Sequence, residues 1–233
     1  MSPGDYWQFA EATRASRRES WLQYRAKRGP GREEVEAAAG RMRRRLKDGP
    51  ADRKELMPLV DRDTVLFNGA TLWLDVVRVP TAGTWEHRRA DIYERAGTWI
   101  ERERPEHPVR HTIARYLAAF GPAAVADIVS WSGIPPAELK PELETMELRR
   151  FRDERGGLLL DLPRRPLPDA ATKAPVRFLP TWDAMLLVHA RRTGILPERF
   201  RPQVFSTKTP PSRSRRSRWT GRWREPGART RAG

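Results

Sequence analysis

The chain has no cysteine. That excludes a disulfide framework, thiolate chemistry and any cysteine-based metal site, and it makes a reducing cytosol the default compartment. No apolar run approaches the ~18 residues that a membrane span requires, and the first residues hold no apolar signal segment. The expectation is a soluble, cytoplasmic protein with no membrane partner. Lysine is scarce as well: six of the 45 basic residues, which leaves 39 arginines. With abundant Ala, Gly and Pro, that bias fits a GC-rich coding sequence, so part of the charge reflects base composition. There is no glycine-rich phosphate loop and no Ser-His-Asp arrangement. No cofactor and no metal are expected.

What is present suffices for packed cores: 233 residues, 38% hydrophobic, with nine Trp. One large domain or two or three small ones fit that length. The charge is unevenly placed. From Ser212 onward the chain has no periodicity and carries eight Arg against Glu225, so this tail holds +7 of the formal +15 and leaves +8 for the rest. A nucleic-acid argument starts from the smaller figure.

Apolar spacing and breakers predict the organisation. Residues 3–26 read as a helix that Asp5 can cap. Residues 32–47 read as a second, with Val35, Ala38, Ala39, Met42 and Leu46 inward and Arg41, Arg43, Arg44, Arg45 and Lys47 outward. Residues 52–60 form a short helix opened by Asp52, and a further turn or helix falls around 62–67. Leu72–Val79 and Thr84–Arg89 read as a basic hairpin turning at 81–83, with Arg78, Arg88 and Arg89 near its strands and Trp73, Leu74 and Trp85 in a core. After a charged linker come helices at 107–120, 123–131 and 137–147. Strands at 148–151 and 158–162 follow. Three helices and a hairpin are the order of a winged helix, a helix-turn-helix variant. Residues 163–175 read as linker and 176–205 as a small α+β segment. The resulting division is 1–104, 105–165, 166–211 and a disordered tail at 212–233. The fold class is α+β, mainly helical.

Several residues invite chemistry. The cations of 41–47 can neutralise phosphates, or they form a solvated helix face. The hairpin arginines suit a groove or a backbone. The third helix of the clean winged helix carries Glu138, Glu142, Glu144 and Glu147 against Lys140. That balance repels phosphate, so this helix is not expected in a groove. His107 and His111 stand at a zinc-ligand spacing without the glutamate or third ligand such a site needs, which favours a surface pair. His189 with Asp183 lacks an accompanying nucleophile. A structural role is expected, with Asp183 as a cap.

A set of motifs then carries a resemblance. Asp5-Tyr6-Trp7, Leu72 to Pro80 followed by Gly83-Thr84-Trp85-Glu86, Arg115 to Ala123, Trp131-Ser132-Gly133, Phe178 to Asp183 and Val204 to Lys208 occur in the order of a known family. The chain resembles the winged helix DNA-binding domain family related to the AlkZ-like bacterial DNA glycosylases, over roughly residues 3–211. The resemblance implies tandem winged helices around a basic concavity for DNA. Relatives carry a further region before the Asp-Tyr-Trp segment, with a catalytic Gln-x-Gln motif. Gln8, Gln23 and Gln203 form no such pair, so the chain reads as a shortened member. Relatives also continue past Ser206-Thr207-Lys208 with a β-hairpin. Back-translating residues 213–228 and reading one frame over permits that hairpin, so the tail reads as an out-of-frame segment, against a selected basic tail.

The expectation from all this is a non-catalytic protein of tandem winged helices. It contacts double-stranded DNA with little sequence preference, through the phosphates, by Arg41, Arg43, Arg44, Arg45, Lys47, Arg78, Arg88 and Arg89. A DNA glycosylase, a protein–protein scaffold and a non-functional fragment stand as alternatives.

Overall fold

The structure is a computed structural model. It describes residues 2–205 except 90, 102–104, 170, 174–178, 180–182, 191, 192 and 194. The Arg-rich tail, Thr181-Trp182 and Ser206-Thr207-Lys208 lie outside those residues. The chain divides into two compact units: residues 1–115 with 133–146, and 116–132 with 147 onward. Among the described residues no helix is long and apolar enough to cross a membrane.

In the first unit, helix α1 runs Pro3–Arg25 and α2 Arg32–Arg45. A single 3-10 turn, Leu46–Asp48, leads from α2 through Gly49, whose φ of 119° suits glycine, into strand β1, Ala51–Asp52. Asp52 and Glu55 make a reciprocal capping box that opens α3, Arg53–Leu56. Pro58 lies in the 3-10 turn Met57–Val60 that follows. The side chain of Asp63 accepts from Val65 and Leu66 N–H groups and starts α4, Thr64–Thr71. Strand β2, Val76–Arg78, and β3, Ile92–Arg95, complete the sheet, followed by the short α5, Ala96–Trp99. The strand order is β1-β3-β2, antiparallel throughout. Tyr93 sits opposite both Ala51 and Arg78, which fixes the register. The core joins the inward stripe of α2 (Val35, Ala38, Ala39, Met42) to Leu46, Leu56, Val60, Leu66, Phe67, Ala70 and Tyr93. α1 lies against α4 with little clearance: a Cβ on Gly69 would stand 2.5 Å from the Trp21 ring.

The hairpin differs from expectation. Leu72–Asp75 is no strand, because α4 runs on to Thr71 and Leu72, Trp73 and Leu74 close its end with turn hydrogen bonds. The returning strand starts at Ile92, and residues 84–89 belong to a long connecting loop. Trp73 and Leu74 are buried as expected, but Trp85 is 84% exposed.

Asp5 also departs from its expected place. Ser2 is the N-cap residue of α1, and Asp5 lies inside the helix, buried. It accepts from Ser2 Oγ at 2.7 Å and Arg115 Nη2 at 3.0 Å, and it meets His111 Nε2 at 2.7 Å. These contacts bind α1 to the start of α6, Pro108–Phe120. His111 thus serves as a partner of Asp5, and among the described residues no group of potential ligands could hold a metal. The hydrogen bond from Ser2 holds the Asp5 carboxyl below its ordinary value; burial opposes this, and His111 and Arg115 reinforce it. A depressed acid stabilises the fold above its unfolded pKa, and the gain vanishes as pH falls through the folded one. Asp5→Asn is expected to cost about 1–3 kcal/mol at neutral pH and to flatten the acid limb of the stability curve. Urea titrations of both proteins at neutral and acid pH check this. The unit's last helix, α8, runs Pro136–Thr145, and Glu142 accepts from Arg110 Nε at 2.8 Å.

The second unit takes the end of α6, helix α7 (Val125–Ser132), the hairpin β4 (Arg149–Arg152) with β5 (Leu158–Asp161), and short helices α9 (Ala184–Leu187) and α10 (Arg201–Val204). Tyr116 is fully buried there and donates to Val188 O at 2.7 Å. His189 lies 3.8 Å from Asp127 and is buried beside Tyr116. Asp183 caps α9 through the Met185 N–H, as its position suggests.

Candidate nucleic-acid interface

The eight cations expected to meet phosphate fall into two groups. Three on α2 are held by protein partners. Arg41 Nε donates to Leu59 O at 2.6 Å, and Arg43 Nη2 to Trp73 O at 2.9 Å. Arg45 is ion-paired with Glu55. At ~100° per residue, Arg41 and Arg43 border opposite edges of the buried stripe, so each clamps the helix to the segment beside it. Arg44 and Lys47 point away from the core and are exposed. Among the described residues neither has a carboxylate within ion-pair distance.

The remaining three arginines belong to the β2–β3 connection. Arg78 is the last residue of β2, and its guanidinium lies 5.6 Å from the Tyr93 ring centroid. Arg88 and Arg89 are exposed in the loop, where Arg88 stands 5.2 Å from the Trp85 ring centroid. The strand register orders the two groups. Asp52 pairs with Ile92, and Arg53 N–H donates to Asp91 O at 2.9 Å, so the loop leaves the sheet at the Asp52 end. Lys47 precedes β1 and therefore lies toward the other end. The cations thus flank one small sheet from its two ends.

Sequence reasoning missed a pair of clefts in this unit. Both border the segment Leu74–Val76. One, about 260 Å³, lies between α1 and that segment and is lined by Tyr6, Phe9, Thr13, Arg14, Arg17 and Asp75. The other, about 460 Å³, is lined by Trp7, Arg43, Asp75, Arg95, Gly97 and Thr98. Asp75 belongs to both. Its carboxylate accepts from Arg14 Nη1 at 2.8 Å and keeps 33% of its side-chain surface exposed. Burial, reinforced by the Asp75 charge, pushes the Tyr6 hydroxyl up to about 12, so it stays protonated and hydrogen-bonds Val76 O at 3.3 Å. The signal available in sequence was only an aspartate after an apolar run. Nothing in the spacing shows that Arg14, sixty-one positions earlier, meets it.

The family model described as DNA glycosylase AlkZ-like matches residues 1–232. No curated protein sequence matches the chain. Among solved structures, the DNA glycosylase AlkZ of Streptomyces sahachiroi is similar, with a TM-score of 0.64 at 18% identity. The similarity covers 94% of this chain and 62% of that one, so the chain spans less than two thirds of its structural relative. At that identity the likeness concerns the fold: mainly helical α+β with small sheets. The family match overturns the expectation of a non-enzyme, since the family is one of glycosylases. That expectation rested on a missing Gln-x-Gln pair, one motif weighed against a match along nearly the whole chain.

Proposed function

The chain belongs to the AlkZ-like DNA glycosylase family, and on that premise we propose that it works on duplex DNA as a base-excision glycosylase. The observation that carries this reading is the set of exposed cations at the two ends of the β1-β3-β2 sheet, without an ion-pair partner among the described residues, in a chain with that family membership. Phosphate contacts of this kind hold a duplex in register without reading its sequence.

The element order supports a finer reading. Helix α2, strand β1, helices α3 and α4, then β2, a long loop and β3, with sheet order β1-β3-β2, follow the order of a winged helix. In that reading α4 is the recognition helix and the loop 79–91 the wing. α4 exposes Thr64 and Asn68, both neutral, so the cations assigned to phosphate lie off this helix, on the wing and around the end of α2. The elements α6 to β5 repeat the order of three helices and a hairpin. The pair makes the tandem winged helices of the reading.

Excision requires the target base to leave the stack and enter a pocket. Of the two clefts beside Asp75, the one of about 460 Å³ is of the scale of ligand sites, ~300–1,000 Å³. As the bond from C1′ to the base breaks, the base leaves with the electron pair and positive charge develops on the sugar. A half-buried carboxylate at the edge of a cleft can stabilise that charge and accept the proton of the attacking water. Asp75 is assigned this role. Asp75→Asn is expected to lower excision by about 10²–10⁴-fold with duplex affinity unchanged. The assay follows abasic-site formation in a duplex carrying methylated purines. No abasic product from the unaltered chain overturns the reading.

A further inference from the structure

We propose that Trp85 is a wedge that enters the base stack and occupies the gap left when a base is turned out; this rests on the reading above that the chain acts on duplex DNA. The fold treats several of the other tryptophans differently, and even Trp99, 55% exposed, donates its indole N–H to Glu94. Trp7 and Trp73 are buried at 7% and 8% exposure, each with its indole N–H donated to a protein acceptor. Trp85 is 84% exposed. A single exposed apolar residue is ordinary, so its setting carries the argument.

That setting is a narrow ribbon with a held tip. Val79 N–H donates to Ile92 O at 3.1 Å, and Gly83 N–H to Arg89 O at 3.2 Å, which draws the two sides of the loop together beyond the strands. Gly83 turns with φ of 75°, a conformation side-chain-bearing residues rarely adopt. Thr84 Oγ1 donates to Thr81 O and accepts from His87 N–H, each at 3.2 Å, so the turn that carries Trp85 is pinned from both sides. A two-stranded ribbon fits a DNA groove. Apolar side chains at such tips separate base steps in known architectures of groove binding.

The charge beside the indole matches the same partner. Arg88 stacks near its ring and Arg89 follows, against Glu86 as the one acid at the tip. A guanidinium beside an inserted ring lies where the phosphates of that step lie. The indole offers a flat face to the base that remains, and stacking of this kind tolerates any base. Wedge and phosphate contact are thus supplied by residues three and four positions apart. A duplex already lacking one base needs no unstacking, so it should bind best.

The test compares two duplexes, one intact and one with a stable abasic analogue. The full chain is expected to bind the second about tenfold tighter, in keeping with the loss of one stacking contact. Trp85→Ala should bind both alike, and Trp85→Phe should keep part of the preference. A 2-aminopurine next to the abasic position should dim with the unaltered chain, as the indole stacks on it, and not with Trp85→Ala. Full retention of the preference by Trp85→Ala overturns the wedge. So does equal affinity of both proteins for both duplexes together with a change in sedimentation, which assigns the indole to a second copy of the chain. Arg88→Ala with Arg89→Ala separates the two readings. If the salt dependence of duplex binding falls while Trp85→Ala keeps the preference, only the wedge fails. If binding shows no salt dependence in any protein, the reading as a DNA-acting chain fails with it.

Discussion

Replacing Arg44, Lys47, Arg88 and Arg89 with alanine in one protein lowers affinity for a short duplex on the order of 10²–10³-fold at about 0.15 M salt. Each phosphate contact releases counterions and contributes about 0.9 to the slope of log affinity against log salt. Losing four such contacts reduces that slope by about three to four units. All four side chains are exposed, so the fold should tolerate their loss. Arg78 is left in place because its guanidinium packs near Tyr93, and its removal would loosen the sheet as well. The matching control replaces Arg41, Arg43 and Arg45. Those three hold Leu59, Trp73 and Glu55, so that variant is expected to lose stability. A salt titration of duplex binding, paired with a urea curve for each variant, separates the two outcomes. An unchanged slope in the first variant sinks the assignment.

Phe67→Ala is expected to destabilise the first unit by about 3–5 kcal/mol. Phe67 is 1% exposed at the centre of the core. Its ring meets Tyr93 edge to face at 5.7 Å between centroids, and the Arg53 guanidinium stands 4.2 Å from its centroid. Tyr93 is the residue that sets both strand pairings of β3. Deleting the phenyl ring therefore removes the seat of the sheet and of the loop that the sheet projects. A domain is stable by only about 5–15 kcal/mol, so duplex binding should fall with the folded fraction. Phe67→Leu keeps most of the volume and should cost about 1.5 kcal/mol or less. Urea denaturation followed by tryptophan fluorescence measures both. A loss below about 1 kcal/mol for Phe67→Ala would contradict the packing described.

The helices were largely legible in the sequence. The stripe Val35, Ala38, Ala39, Met42 is the buried stripe of α2, and Gly49-Pro50 ends that segment. Asp52 opens a helix through a capping box. Strand pairing was less legible. Leu72–Val79 looks uniformly suited to a strand, yet its first half closes α4, because local apolar runs do not distinguish a helix end from a strand. The true partner of β2 lies beyond a loop, and β1 is only two residues long. Residues 84–89 follow the turn signal at 81–83, but Trp85 is their only apolar residue, so no alternation marks a returning strand there. At the candidate site, the cations of 41–47 were visible as a run. Which of them are held by the protein depends on carbonyls eighteen and thirty positions away, at Leu59 and Trp73. Asp75 was invisible as a site residue for the same reason, since its partner Arg14 lies on another element.

The anchoring of Arg41 and Arg43 on neutral carbonyls has an effect on encounter. A peptide oxygen accepts a hydrogen bond without cancelling a full charge, so these guanidinium groups remain sources of field while serving as struts. Within a Debye length, about 8 Å in physiological saline, they add to the attraction felt by an approaching polyanion. Such a field speeds capture and weakens as ions crowd the solution. The residues that brace α2 therefore also help to set how quickly the molecule finds its partner.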